Sequence, residues 1–204
     1  MKLLVAIFVL SLAGASGSAA QEFDHLAVAG HTVSTTHRLP LSLTVPGDLR
    51  PLGETHFRES YGGPSFEVSA TAFHGDSILV AIHAETHTDG SGGLDYSELS
   101  PDTLAGIALN SRIDCFDLRE ETDEDIQGNG FLRFLRDGGY DFDRALVLKR
   151  LFLTDSEGRA EVVLSYGREV PGCGDGDVPA ALAEDVGRGA RSAFGSLRLT
   201  PPGT

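Results

Sequence analysis

The stretch Phe66-Glu67-Val68-Ser69-Ala70-Thr71-Ala72-Phe73-His74-Gly75-Asp76-Ser77-Ile78-Leu79-Val80-Ala81-Ile82-His83-Ala84 decides the fold class. Phe66, Val68, Ala70 and Ala72 recur at every second residue. After Gly75-Asp76 the alternation resumes with Ile78, Val80, Ile82 and Ala84. A strand sends alternate side chains to opposite faces, so this is the pattern of a β-hairpin. A second hairpin lies further on. Arg144–Thr154 is rich in Leu, Val and Phe, Asp155-Ser156-Glu157-Gly158 is a strong turn, and Ala160, Val162, Leu164 and Tyr166 alternate after it. Shorter alternating runs at His31–Leu39, Leu41–Val45, Thr55–Ser60 and Arg112–Leu118 add candidate strands.

Two segments read as helices. Ser100 can cap a helix that Pro101 starts, with Leu104, Ile107 and Ala108 on one side. Near the C-terminus Val178, Leu182, Val186, Ala190, Ala193 and Leu197 recur at three or four residues. Gly187 and Gly189 weaken that helix but would let it lie close on a sheet. The acidic run from Glu120 to Asp125 reads as a solvated loop or helix face, and Phe131–Leu135 as a helical turn or a strand. The expected class is α+β: an antiparallel sheet built from hairpins, with the middle and C-terminal helices packed on one face. A β-sandwich with added helices is the alternative.

Residues 1–20 read as an export signal. Lys2 precedes an apolar run, Leu3–Ala13, and Ser18-Ala19-Ala20 forms a small-residue cleavage site. The run is about half the ~20 residues a membrane span needs. Residues 21–200 then form a single domain, and residues 201–204 a disordered tail. The net charge of −14 becomes −15 once Lys2 leaves, and Lys149 is then the only lysine beside fourteen arginines. Such acidity repels phosphate backbones, so nucleic acid is not expected as a partner. Export and an even cysteine count suggest a disulfide between Cys115 and Cys173. Two unrelated thiols are the competing reading.

The sharpest local motif is His87-Thr88-Asp89-Gly90-Ser91-Gly92-Gly93-Leu94-Asp95-Tyr96-Ser97-Glu98. It resembles an EF-hand calcium loop, with Asp89 third, Ser91 fifth, Gly92 at the sharp turn, Leu94 eighth and Glu98 twelfth. The resemblance implies calcium held by Asp89, Ser91, the Gly93 carbonyl and Glu98, since calcium takes hard oxygen ligands on a tight loop. It departs at the first position, where His87 stands in place of Asp. A strand rather than a helix precedes it. The plain alternative is an acidic Gly-Ser turn. An overlapping pattern competes with it: His83, Glu85 and His87 share one strand face and could ligate zinc. Opposite Ile78, Val80, Ile82 and Ala84, that face is otherwise the wet side of a half-exposed strand.

Catalytic motifs are sparse. All seven histidines lie between His25 and His87, so no late His can complete a triad. Gly75-Asp76-Ser77 superficially resembles the nucleophile block of GDSL esterases, but the other blocks of that family are missing and a hairpin turn explains it. The expected function is that of an exported, periplasmic or secreted, non-enzymatic binding or accessory module. The alternatives are a calcium- or zinc-binding protein using residues 83–98, and a secreted hydrolase with an unrecognised site. The partner is an unidentified protein or small molecule.

Overall fold

The structure is a computed structural model that describes residues 23–60, 64–88, 90, 93–174 and 177–200. The expected leader at 1–20 and the expected tail at 201–204 lie outside the described residues.

The quoted stretch forms β5 (Ser65–Gly75) and β6 (Ile78–His87), joined by the two-residue turn Asp76-Ser77. Ser77 takes a φ of 59° there, so this serine is a turn residue. The register has a consequence that the separate alternations concealed. Phe73 pairs with Val80, and Ala72 with Ala81. Ile78, Val80, Ile82 and Ala84 therefore share a face with Phe73, while Phe66, Val68, Ala70 and Ala72 face the other way with Leu79 and Ala81. Both faces are apolar, and both are buried. The second hairpin forms β9 (Ala145–Thr154) and β10 (Ala160–Val170). Strand β10 also pairs antiparallel with β6, setting Glu161 opposite Glu85 and Val163 opposite His83. With β4 (Arg50–Ser60), β7 (Ser100–Leu104) and β8 (Ile107–Asp117), the sheet runs β4-β5-β6-β10-β9-β8-β7, antiparallel throughout. A smaller antiparallel sheet has the order β1-β2-β3-β11, formed by Leu26–Ala29, Thr32–Thr35, Leu41–Thr44 and Arg198–Leu199.

The helix expected from Ser100 is instead the β7–β8 hairpin. Leu104 pairs with Ile107, and the two residues between them, Ala105 and Gly106, have φ of 50° and 83°. Positive φ at both positions is the signature of the tight hairpin turn that matches strand twist. The spacing of Leu104 and Ile107 suits either element, and long-range pairing of β8 with β9 settles it. Pro101 is tolerated because β7 is an edge strand among the described residues. Asp102 on β7 accepts from Lys149 Nζ at 2.8 Å, and Ser111 Oγ accepts from the same ammonium at 2.8 Å.

The helices lie on both faces of the large sheet, not on one. On the face of Val80 and Ile82 sit the small sheet, through Leu26, Val33, Leu41 and Leu43, and α3 (Ala180–Ala193), through Val186, Ala190 and Ala193. On the face of Ala72 and Ala81 sit α1 (Asp123–Gly128) and α2 (Gly130–Asp137), through Ile126, Leu132 and Leu135. The end of the acidic run, Asp123–Asp125, is thus the first turn of α1, closed by a capping box between Thr122 and Asp125, while Glu120 ends a short 3-10 turn before it. Asn129 starts α2 by accepting from the backbone N–H groups of Phe131 and Leu132, both at 3.0 Å. Cys115 and Cys173 are disulfide-bonded across a separation of 58 residues, tying the approach to α3 onto β8. No described helix is long and apolar enough to cross a membrane.

Two predictions test this packing. Replacing both cysteines by alanine removes a cross-link over 58 residues, and urea unfolding should show a loss of about 4 kcal/mol by the chain-entropy relation. An unchanged unfolding free energy would contradict that. In α3, a Cβ on Gly189 would lie 2.3 Å from the buried Tyr166 ring, whereas one on Gly187 meets only Arg191 at 3.7 Å. Gly189→Ala should therefore cost roughly 1–3 kcal/mol through overpacking. Gly187→Ala should add up to about 1 kcal/mol through helix propensity. Thermal melts of the two variants should move in opposite directions.

Candidate functional site

The site is built where a loop crosses the second hairpin. Gly158 closes the β9–β10 turn at a φ of 64°, and the backbone of Gly93 and Leu94 lies directly against it. A Cβ on Gly158 would come within 2.8 Å of Leu94 N, and one on Gly93 within 2.9 Å of Glu157 O. Leu94 N–H donates to Gly158 O at 2.7 Å, clamping the loop down. Asp95 then turns the chain by accepting from Ser97 N–H at 2.8 Å, bonds to Ser97 that hold its carboxyl below the usual range. Tyr96 consequently points inward. Its ring lies 4.5 Å from that of Phe152, and its hydroxyl donates to Glu161 Oε2 at 2.5 Å.

Opposite this loop, Asn129 and α2 set Phe131, Leu132 and Leu135 over the same face of the sheet. The Phe131 ring meets the His83 ring edge-on at 4.2 Å. Between sheet, loop and helix lies a cavity of about 510 Å³. Its walls are mainly apolar, with Phe66, Leu94, Phe116, Phe131, Leu148 and Phe152 among them. Its polar groups fall into two sets. Glu85, Glu161, His83 and Tyr96 gather where β6 and β10 pair. Arg112 and Arg150 line it further along, Arg150 opposite Ser165, about 13 Å down β10 from Glu161 at strand rise.

The acid set is the unusual one. Glu85 and Glu161 are each only 3% exposed. Burial, then the negative charge of Glu85, push the Glu161 carboxyl up to about 8, against the opposing effect of the Tyr96 hydrogen bond. Glu161 therefore keeps its proton at neutral pH. A side-chain hydrogen bond joins it to Glu85. The Tyr96 phenol is raised well above its usual range by burial and by Glu161, so it stays a donor. His83 Nδ1 lies 3.4 Å from Glu85 Oε1. Glu85 Oε2 and His83 Nε2 are buried with no hydrogen-bond partner among the described residues. In the basic set, Asp114 binds Arg150 at 2.5 Å and Arg112 at 2.9 Å, leaving one net positive charge.

Of the residues expected to hold zinc, His83 and Glu85 come together in the cavity. His87 lies beyond them on β6, its ring 4.3 Å from that of Phe66. Their face is not the wet side of the strand: Ala81 and Glu85 are buried beneath α2 and the loop. Of the calcium set, Asp89 and Ser91 lie outside the described residues, Gly93 packs on Gly158, and Glu98 is exposed. Strand β6 precedes that loop and β7 follows it, so the helix expected after it is absent. Among the described residues no three His, Cys, Asp or Glu side chains gather as a metal site. Sequence reasoning missed Glu161, Tyr96, Phe131 and Arg150. The available signal was a glutamate inside Ala160-Glu161-Val162-Val163-Leu164, where period two assigns it to solvent. No protein-family model matches the chain, and a search of curated proteins finds no relative.

The raised Glu161 carboxyl fixes the sign of a pH effect. From its ordinary value of 4.5 up to about 8, the folded state holds a proton that the unfolded chain has released. Stability must therefore fall as pH rises through that window. His25, His37 and His74 have lowered values and act oppositely, but only below 6.5. Between about pH 6.5 and 8.5 the protein should lose roughly 1–2 kcal/mol. Glu161→Gln keeps both hydrogen bonds without the proton, so its unfolding free energy should be flat across that range. A parallel decline in the variant would reject the assignment.

Proposed function

We propose that this chain is an exported binding module whose cavity receives one small, largely apolar molecule. The carrying observation is the cavity itself. Its volume of about 510 Å³ falls in the range of roughly 300–1,000 Å³ typical of small-molecule sites. Apolar walls with a few converging polar groups fit binding with fixed orientation. The Cys115–Cys173 disulfide and the signal-like residues 1–20 support an oxidising compartment outside the cytosol.

The test uses N-phenyl-1-naphthylamine, a neutral apolar dye that brightens out of water. Titration should give a saturable rise with one site per chain and an upward shift of the thermal midpoint. Ala81→Phe fills the cavity from its sheet side and should abolish the rise while the variant still melts cooperatively. Ser165→Leu provides the same block if that variant does not fold. A rise that survives both substitutions, or none in the unaltered protein, would overturn the reading.

A further inference from the structure

The cavity carries charge at two opposite corners, and they differ in what they leave open. At the acid corner Tyr96 donates to Glu161 at 2.5 Å, Glu161 is joined to Glu85, and His83 Nδ1 lies 3.4 Å from Glu85 Oε1. That corner is bonded to itself, and both glutamates are buried. The basic corner is built differently. Arg112 on β8 and Arg150 on β9 pair directly across the sheet, and both line the cavity. Like charges set opposite one another repel. Asp114 Oδ2 answers the two together: it accepts from Arg150 Nη2 at 2.5 Å and Nε at 3.2 Å, and lies 2.9 Å from Arg112 Nε. One carboxylate against two guanidiniums leaves a positive charge over. Arg150 Nη1 and both Nη groups of Arg112 make no hydrogen bond among the described residues. Their side chains are 30% and 44% exposed, so a molecule in the cavity can reach them.

Resting on the binding reading above, we infer that the ligand is an apolar acid whose carboxylate is received by Arg112 and Arg150 while its hydrocarbon body lies along the aromatic wall. A carboxylate is planar and accepts two parallel N–H bonds from a guanidinium fork. Its single negative charge matches the single positive charge that Asp114 leaves. A hydroxyl head brings no charge, and an ammonium head is repelled. The guanidinium of Arg112 lies 5.9 Å from the centre of the Phe152 ring, so the charge stands at the border of the apolar wall. The acid corner fixes the direction of entry. Arg150 faces Ser165, about 13 Å along β10 from Glu161 at strand rise. Arg112 stands three strands from Glu85 in the order β6-β10-β9-β8, about 14 Å at the spacing of neighbouring strands. The negative charge of Glu85 therefore opposes a carboxylate at the far corner without touching one held by the arginines.

Three probes with one apolar body and different heads decide the matter: octanoate, octan-1-ol and octylammonium. Each competes against N-phenyl-1-naphthylamine at about pH 7, where a carboxylic acid is ionised and an aliphatic amine protonated. Octanoate should bind about tenfold more tightly than octan-1-ol, as expected for charge-assisted hydrogen bonds. Octylammonium should bind more weakly than either. Arg150→Gln, and independently Arg112→Gln, should reduce the ratio of octanoate to octan-1-ol affinity to about twofold or less. That ratio is read within each variant, with the dye titrated afresh, so a general loss of packing does not mimic it. Should one variant not fold, the other serves, and the ranking is read on the unaltered chain in any case. Equal binding of the three probes, octylammonium binding best, or an octanoate preference that survives both substitutions overturns the assignment and leaves the cavity reading intact. Dye binding that no probe displaces does the same. Failure of all three together with the dye overturns both.

Discussion

The pairing of β6 with β10 holds the remainder in place. Each strand ends its own run of neighbouring strands, β4-β5-β6 and β7-β8-β9-β10, the second interrupted by α1 and α2 between β8 and β9. Joined along Ile78–Thr86 and Ala160–Arg168, they make one sheet whose central strands lie under packed layers on both sides. The same register sets Glu85 against Glu161. A shift of one residue would turn every side chain of β10 to the opposite face, moving Val162 and Leu164 out of one core and Glu161 out of the cavity. Stability and site therefore rest on one alignment.

That alignment also explains which parts of the chain were legible. Period-two runs reveal strands because each is a local property, and both long hairpins, the C-terminal helix and the disulfide could be read directly. Which face is wet is not local. Phe66–Ala72 and Ile78–Ala84 each display one apolar set, and only their register shows that the sets lie on opposite faces. Treating β6 as half-exposed assigned His83 and Glu85 to solvent, and the same logic hid Glu161. The Ser100 segment failed for a related reason. A serine, a proline and an apolar pair three apart satisfy a helix start, yet an edge strand entering an Ala105-Gly106 turn accepts the same residues. Long-range pairing, which no local window contains, decided between them.

Close backbone approach does for the site what side-chain packing does for the core. The Gly93–Gly158 contact lowers the loop until Tyr96 reaches Glu161. Gly130 performs the matching task opposite, since a Cβ there would meet the Phe57 ring at 2.4 Å. Its N–H donates to Glu59 at 3.2 Å, which fixes the start of α2 and so the position of Phe131. Glycines at these points bring loop and helix onto the sheet at its edges while the space between them stays open. The cavity is thus a product of where the chain can approach closely, and its walls are ordinary core residues that meet no facing partner.

A fold selected for stability alone would not keep Glu85 and Glu161 where they are. Two carboxyls side by side in a buried site work against each other, and apolar residues of similar volume usually serve better there. The surrounding structure contains part of that cost by leaving Glu161 protonated, by the Tyr96 donation and by the His83 ring. Neighbouring positions on the same face, Ala81, Val163 and Leu148, show that apolar side chains fit this layer. Where a protein retains a destabilising polar group inside an otherwise apolar wall, the compensation is sought in what that group does. Here the two glutamates belong to the wall of a cavity of about 510 Å³, which is where a group kept for recognition would stand.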